Sequence, residues 1–161
     1  MKTLIIGLGN PILGDDGVGW VVAKKVEEIL AGTLPEVKIE CYALSGISLM
    51  EQMVGFERVI LIDSLNTGNY SQGKVNVFTL DSLTDLTHGH SASAHDLSLT
   101  KAMEMGRTLA ANLPADQNIS IVAIEATHVY EFGEVLTPEI EAAVPLAAGE
   151  VFKLLGVKYP G

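Results

Sequence analysis

The chain has 161 residues, of which 48% are hydrophobic and 19% are charged, and its formal net charge is −10. This length and composition predict a single domain over residues 1–161 with a sizeable core. The acidic balance argues against a nucleic-acid partner, because phosphate contacts need clustered Lys and Arg. The densest apolar run, residues 59–62, has the length of a strand. We therefore expect no membrane insertion and, without a separate signal segment, a cytoplasmic protein.

Strands and helices are predicted to alternate along the chain. In chain order, the hydrophobic pattern predicts a strand at 3–7, a helix from Asp15 or Asp16 to Leu30, a strand at 36–42, a helix at 47–54, strands at 58–63 and 74–79, a polar loop, a helix from about His95 to Asn112, a strand at 118–124 and a helix capped by Thr137 that runs to Gly156. This alternation predicts an α/β fold, a three-layer αβα sandwich on a twisted, mostly parallel five-stranded sheet of the phosphorylase/hydrolase-like type. The predicted buried stripe of the helix near His95 contains Leu99, Ala102, Met103, Gly106 and Leu109.

A glycine-rich turn follows the first predicted strand and carries two consecutive acids. Glycine has no Cβ, so the backbone can turn tightly and approach other groups closely, as in phosphate-binding loops. Asp15 and Asp16 instead place negative charge where a phosphate would meet the helix N-terminus, which favours a cation as the ligand. The dinucleotide-binding fingerprint also fails, because Ile12 occupies its third glycine position.

The predicted topology brings three potential metal ligands to one crevice. In sheets of this type, ligands bind beyond the carboxyl ends of the strands, where the strand order reverses. If the first strand lies between the second and third, Asp16 and Asp63 follow the two strands that border this crevice. His95 begins a later helix that can cover the same crevice. Two carboxylates and an imidazole so placed predict a cation site with open coordination positions.

Each of these residues also has a purely structural interpretation. Asp15 or Asp16 alone is typical of a helix N-cap, Asp63 of a turn and His95 of a solvated loop. Asp63 is the least easily explained in this way. It follows four consecutive aliphatic residues, and an acid at the end of a buried strand is costly unless it has a partner.

Other potentially reactive residues give weaker signals. His88 and His90 are spaced for metal chelation, although histidines in a polar loop are more often solvated. Glu125 and His128 follow the last predicted strand, and we expect them at most to support the site. There is no G-x-S-x-G motif, and Cys41, the only cysteine, is expected to be a buried, inert thiol.

Five short motifs occur in the order and spacing of the hydrogenase maturation proteases. They are GLGN at 7–10, GDDGVG at 14–19, the aliphatic strand that ends in Asp63 and Ser64, SAHDLSL at 93–99 and LTPE at 136–139. The chain therefore resembles this family over about residues 1–155. The resemblance implies an endopeptidase that removes the C-terminal extension of a [NiFe]-hydrogenase large-subunit precursor after nickel insertion.

The resemblance also implies roles for individual residues. Asp16, Asp63 and His95 would bind nickel that the precursor carries, so the purified protein can be free of nickel. Asp16 and Asp63 are the catalytic candidates, and the attacking water is activated either by the metal or by a carboxylate. The candidates for substrate contact are Gly9, Asn10 and Gly46.

One loop departs from the family pattern and leaves other interpretations to be tested. Many members carry an Asp-Gly-Gly-Thr-like loop after the second strand, whereas this chain has CYALSG at 41–46 and keeps only the final glycine. This loop borders the predicted cleft, so the recognised hydrogenase subunit is left open. Peptidyl-tRNA hydrolases share the GLGNP opening, but Asp15, Asp16 and the acidic charge disfavour that activity. A nickel-binding chaperone module would use the same three ligands.

Overall fold

The computed structural model describes the backbone of residues 1–86 and 94–161 and the side chains of residues 1–83 and 99–161. Its strands are β1 (Thr3–Leu8), β2 (Val37–Tyr42), β3 (Arg58–Leu65), β4 (Val75–Thr79) and β5 (Ile119–Glu125). Its α-helices are α1 (Val18–Leu30), α2 (Gly46–Met53), α3 (Leu80–Leu86), α4 (Ala94–Thr108) and α5 (Pro138–Leu155), and short 3₁₀ turns lie at Gly14–Gly17 and Asp116–Asn118. None of the helices in these described ranges is long and apolar enough to cross a membrane.

The strands form one five-stranded sheet in the order β2-β1-β3-β5-β4. β1 pairs in parallel with β2 and β3, and β3 pairs in parallel with β5. β4 runs antiparallel to β5 at the edge of the sheet. The predicted α/β fold with a mostly parallel sheet is confirmed. Because β1 lies between β2 and β3, the crevice falls at the carboxyl ends of β1 and β3, as the topology predicts.

Two apolar cores cover the two faces of the sheet. One core includes Val22 of α1, Ile60 of β3 and Val151 of α5, all fully buried. The other includes Leu61 of β3 and Met103 of α4. Neighbouring residues of β3 thus contribute to opposite cores, because side chains alternate along a strand. Burial of a side chain of this size contributes about 1.5–3 kcal/mol relative to exposure, so the two cores together fix the sheet.

The structure corrects the start of the first helix and the end of the third strand. Asp15 and Asp16 lie in the 3₁₀ turn Gly14–Gly17, so they precede α1, and the N-cap residue of α1 is Gly17. Neither acid is therefore a simple cap of α1. β3 continues for two residues beyond the predicted end, which places Asp63 inside the strand and not in a turn.

Two predictions around the fourth helix were also wrong. The segment after β4 was predicted as a loop, but its first part, Leu80–Leu86, forms α3. Leu109 was assigned to the buried stripe, yet it is 75% exposed. The helix ends at Thr108, and Ala110 has a φ of 60°, so the chain leaves the helical path at this point and Leu109 does not continue the stripe.

Candidate functional site

Close packing of the glycine turn sets the position of the candidate site. Gly9 has a φ of 127°, and a Cβ on this residue would overlap the carbonyl oxygen of Asp16. A Cβ on Gly19 would overlap the carbonyl oxygens of Leu8 and Ile62. Glycine therefore lets the first turn of α1 rest directly on the ends of β1 and β3, as the sequence predicts for a close-approach turn.

Asp16 is the acid of this turn that borders the crevice. Its Oδ2 accepts a hydrogen bond of 2.7 Å from the backbone N–H of Asn10, and its Oδ1 accepts one of 3.1 Å from the hydroxyl of Ser64. The side chain is half-buried. An ionised carboxylate has about four acceptor positions, so these two bonds leave acceptor capacity for a further ligand.

Asp63 is held by the same serine as Asp16. The Asp63 side chain is only 7% exposed, and its Oδ1 accepts a hydrogen bond of 2.8 Å from the backbone N–H of Ser64. Because the Ser64 hydroxyl donates to Asp16, this single residue links the two carboxylates. The structure thus brings together two of the three predicted ligands at the carboxyl ends of β1 and β3.

The third predicted ligand, His95, is located by its backbone alone. It lies in the first turn of α4, which begins at Ala94, as the sequence predicts. Its side chain, like the whole of His88 and His90, lies outside the described residues. Among the side chains that the structure describes, no three His, Cys, Asp or Glu residues are grouped closely enough to hold a metal ion. The three-residue metal site therefore stays a prediction.

Asp15 has a different environment from its neighbour and is not available to a ligand. It is 1% exposed, and its two oxygens accept hydrogen bonds of 2.8 Å from the backbone N–H and the hydroxyl of Thr137. Gln72 donates a longer bond of 3.4 Å to Oδ2. Thr137 is the N-cap residue of α5, but its hydroxyl binds Asp15 and makes no bond to the helix. Asp15 thus fastens the glycine turn to the N-terminus of α5, where the helix dipole favours negative charge.

Comparison with known proteins now identifies the family. The HycI family model, described as hydrogenase maturation protease, matches residues 43–154, which is more than half of the chain. The chain belongs to the hydrogenase maturation protease family. The matched range contains Asp63 and His95, whereas the glycine turn with Asp16 precedes it. A search of curated proteins gives no match.

Solved structures of maturation proteases share the fold. HybD, a hydrogenase maturating endopeptidase from Escherichia coli, superposes with a TM-score of 0.79 at 21% identity, over 97% of this chain and 93% of that one. The [NiFe] hydrogenase maturation protease HybD from Thermococcus kodakarensis gives 0.72 at 25% identity, over 96% and 99% of the two chains. HycI from Thermococcus kodakarensis KOD1 gives 0.67 at 17% identity, over 96% and 92%. The glycine turn thus lies within a fold shared over nearly the whole chain.

In this maturation protease, the loop between β2 and α2 is attached to the glycine turn. The carbonyl oxygen of Tyr42 accepts hydrogen bonds from the backbone N–H of Gly9, at 3.2 Å, and from the indole N–H of Trp20, at 3.3 Å. Gly46 begins α2 with a φ of 56°. The end of β2 is therefore bonded to the glycine turn, on the side of β1 away from β3. That the loop borders the crevice stays a prediction. Contact of Gly9, Asn10 and Gly46 with a substrate stays a prediction.

Cys41 is less buried than predicted. The thiol is free and half-buried, because β2 is the edge strand next to β1. Burial raises the pKa of the Cys41 thiol, which nearby Glu27 and Glu40 also raise, whereas Lys24 lowers it. A raised pKa leaves less of the nucleophilic thiolate at neutral pH, so this environment fits an unreactive cysteine.

Glu125 and His128 form hydrogen bonds with loops near the candidate site. Glu125 is 3% exposed, and its Oε1 accepts hydrogen bonds of 2.9 Å from the backbone N–H groups of Thr67 and Gly68. His128 is exposed and pairs with Glu131 across 3.3 Å. Its carbonyl oxygen accepts a hydrogen bond of 3.2 Å from the backbone of Asp15. Both residues therefore bond to segments near the carboxyl ends of the strands, and their supporting role stays a prediction.

Sequence reasoning missed the residues that connect the acids to the rest of the protein. Ser64 directly follows Asp63 in the sequence, and this Asp-Ser pair is the one local signal for its linking role. Gln72 accepts hydrogen bonds of 3.0 Å from the backbone and hydroxyl of Thr127 and also donates to Asp15. These partners are far apart in sequence, so no local pattern identifies them.

Proposed function

We propose that this protease removes the C-terminal extension of a [NiFe]-hydrogenase large-subunit precursor after nickel has been inserted. In this proposal, nickel already bound to the precursor is the signal for cleavage. Asp16, Asp63 and His95 provide the contacts that recognise it. The nickel therefore arrives with the substrate and is not a resident cofactor of the protease.

One observation carries the proposal: Ser64 links the carboxylates of Asp16 and Asp63 at the carboxyl edge of the sheet. It donates through its hydroxyl to Asp16, at 3.1 Å, and through its backbone N–H to Asp63, at 2.8 Å. Two carboxylates that bind the same serine, one buried and one half-buried, favour a cation between them. The position of His95 in the first turn of α4 supports an imidazole as the third contact.

The proposed site leaves coordination positions for the precursor. Two carboxylates and one imidazole occupy at most part of the coordination sphere of a first-row metal, and nickel accepts nitrogen, oxygen and sulfur ligands. The precursor completes the sphere with cysteine thiolates that already hold the nickel. Metal-free precursor lacks the charge that the two carboxylates attract, so it is not positioned for cleavage.

The chemistry is hydrolysis of one peptide bond. The oxygen of a water molecule attacks the scissile carbonyl carbon, the C–N bond breaks, and the amine of the released extension takes up a proton. Asp16 is half-buried and retains acceptor capacity, so it can take a proton from that water as general base. Nickel on the precursor offers the alternative route, because metals lower the pKa of bound water to about 7.

Incubation with nickel-loaded and nickel-free precursor tests the proposal. We expect mass spectrometry of the large subunit to reveal loss of a discrete C-terminal peptide in the nickel-loaded sample alone. Cys41→Ser is the control variant, and it should cleave at the wild-type rate because the thiol has no part in the reaction. Loss of activity in a folded Cys41→Ser protein would instead indicate a thiol mechanism.

Three other outcomes would contradict the proposal. Equal cleavage of both precursors would refute recognition of nickel. Tight binding of nickel without shortening of any polypeptide would indicate a nickel chaperone. Hydrolysis of charged tRNA with strong salt dependence would indicate a peptidyl-tRNA hydrolase.

The cytoplasm is the compartment we propose for this reaction. Cys41 is the only cysteine of the chain and is a free thiol. Thiols are kept reduced in the cytoplasm, so this residue is compatible with that environment. Fractionation of cells with an antibody against the protein tests this assignment, and recovery from the periplasm or the membrane would contradict it.

A further inference from the structure

The segment between β5 and α5 exposes three large apolar side chains within six residues. Tyr130 is 85% exposed, Phe132 is 87% exposed and Val135 is 84% exposed. Other large apolar residues of the described chain, such as Leu109 and Leu146, are less exposed, at 75% and 63%. A concentration of exposed aromatic side chains marks interaction surfaces, because water contact with them is unfavourable.

Backbone hydrogen bonds fix this segment to the glycine turn. Gly14 donates to the carbonyl oxygen of Gly133 at 2.8 Å, and Gly133 donates to that of Ile12 at 2.9 Å. Leu13 and Gly133 form an isolated parallel bridge. The exposed aromatic residues are therefore held next to the turn that carries Asp16. A surface anchored in this way is already ordered, so it loses little conformational entropy when it binds a partner.

A groove lies beside the same turn. Its cavity volume is about 200 Å³, and its apolar walls come from Pro11, Trp20 and Leu136. Lys24 and Glu134 also line it. This volume suits one or two amino-acid side chains and is too small for a drug-sized ligand, for which pockets of about 300–1,000 Å³ are typical.

The charges around the surface argue for a basic polypeptide and against a second copy of this chain. Glu131 and Glu134 are exposed on the segment itself, and the protein carries a net charge of −10. A two-fold dimer would place this surface against itself and bring like carboxylates together. A partner segment with basic residues between apolar ones would form ion pairs with the carboxylates and apolar contacts with the exposed rings.

We propose that residues 130–136 and the adjoining groove form a docking surface for an apolar, basic segment of the hydrogenase precursor. This inference rests on the proposed function and adds to it a second contact outside the metal site. The docked segment aligns the polypeptide so that its nickel reaches Asp16 and Asp63. Affinity for the precursor is thereby divided between the nickel contacts and this surface.

Kinetics of a surface variant test the inference. In Tyr130→Ser/Phe132→Ser, we expect KM for the nickel-loaded precursor to rise about tenfold while kcat stays within about twofold, since aromatic anchors often dominate binding at interfaces. Leu109→Ser/Leu146→Ser is the matched control, because it removes two exposed apolar side chains elsewhere and should leave both constants unchanged. Glu131→Lys/Glu134→Lys should also raise KM.

Direct binding separates this inference from the proposed function. Biolayer interferometry with immobilised nickel-loaded precursor should give weaker binding for Tyr130→Ser/Phe132→Ser than for wild type.

If wild type binds precursor through this surface but does not cleave it, the docking surface stands and the proposed reaction fails. If wild type cleaves the precursor and the variant has an unchanged KM, the docking surface is refuted. The wild-type protein could also prove to be a dimer that Tyr130→Ser/Phe132→Ser converts to monomers without a change in KM. That result would assign the surface to self-association and refute the docking proposal.

Discussion

Asp15 and Asp16 are consecutive residues of one turn, yet they belong to two different regions of the molecule. Asp15 is almost completely buried and binds the N-terminus of α5 through two hydrogen bonds of 2.8 Å from Thr137. Asp16 is half-buried and borders the crevice between β1 and β3, where its bonds come from Asn10 and Ser64. The difference lies in what remains available: the first carboxylate is enclosed by the protein, and the second can still accept a ligand.

Glu125 extends the comparison to the neighbouring strand. It is 3% exposed, so it is as buried as Asp63 and more buried than Asp16, but backbone and hydroxyl donors of Thr67 and the N–H of Gly68 bind its carboxylate. A buried acid at the carboxyl end of a strand therefore does not by itself identify a ligand. The useful distinction is between acids surrounded by neutral donors and acids held beside a second carboxylate.

The largest effect is expected from loss of a crevice ligand. Asp16→Asn, Asp63→Asn and His95→Ala should each lower precursor cleavage more than about 100-fold, because replacement of supporting residues alone already costs 10–100-fold at metal sites. Asp16→Asn should lose little stability, since the side chain is half-buried. Cleavage assays and urea unfolding measure the two effects, and normal cleavage by any two of these variants would show that the site is assigned wrongly.

Asp15→Asn should have its main effect on stability. Both oxygens of the Asp15 carboxylate accept hydrogen bonds from Thr137 or Gln72. In the asparagine variant, an NH₂ group replaces one of these oxygens and faces at least one of those donors. We expect a loss of about 2 kcal/mol in the free energy of unfolding, the usual contribution of buried hydrogen bonds to charged groups. Urea unfolding of Asp15→Asn and Asp16→Asn in parallel measures this loss. Equal stability of the two variants would remove the distinction between the two acids.

The smallest effect in this series is expected for Ser64→Ala. The variant removes the hydroxyl that binds Asp16 but keeps the backbone N–H that binds Asp63. Cleavage of nickel-loaded precursor should fall about tenfold, because the carboxylate remains present but is less well oriented. Ser64→Thr retains a hydroxyl and is expected to recover part of the activity. A loss as large as that of Asp16→Asn would instead indicate that Ser64 itself contacts the substrate.

The sequence by itself determined the α/β fold, the approximate position of each strand and the crevice between β1 and β3. These features depend on local periodicity and on rules that relate strand order to ligand sites, so they need no knowledge of side-chain contacts. The glycine turn was also recognisable from its glycine spacing at 7–19, and the positive φ of Gly9 and the lack of room for a Cβ on Gly19 agree with it. The short α3 and the exposure of Leu109 were missed, since helix ends depend on weak local signals.

Only the tertiary structure decided which acid belongs to which region. Asp15 and Asp16 have the same chemistry and the same local sequence, and the 3₁₀ turn directs one toward Thr137 and the other toward Ser64. Those partners lie 122 and 48 residues away in sequence. Hydrogen bonds over such separations form only after the sheet and α5 have packed, so no local pattern encodes them and the fold alone sets them.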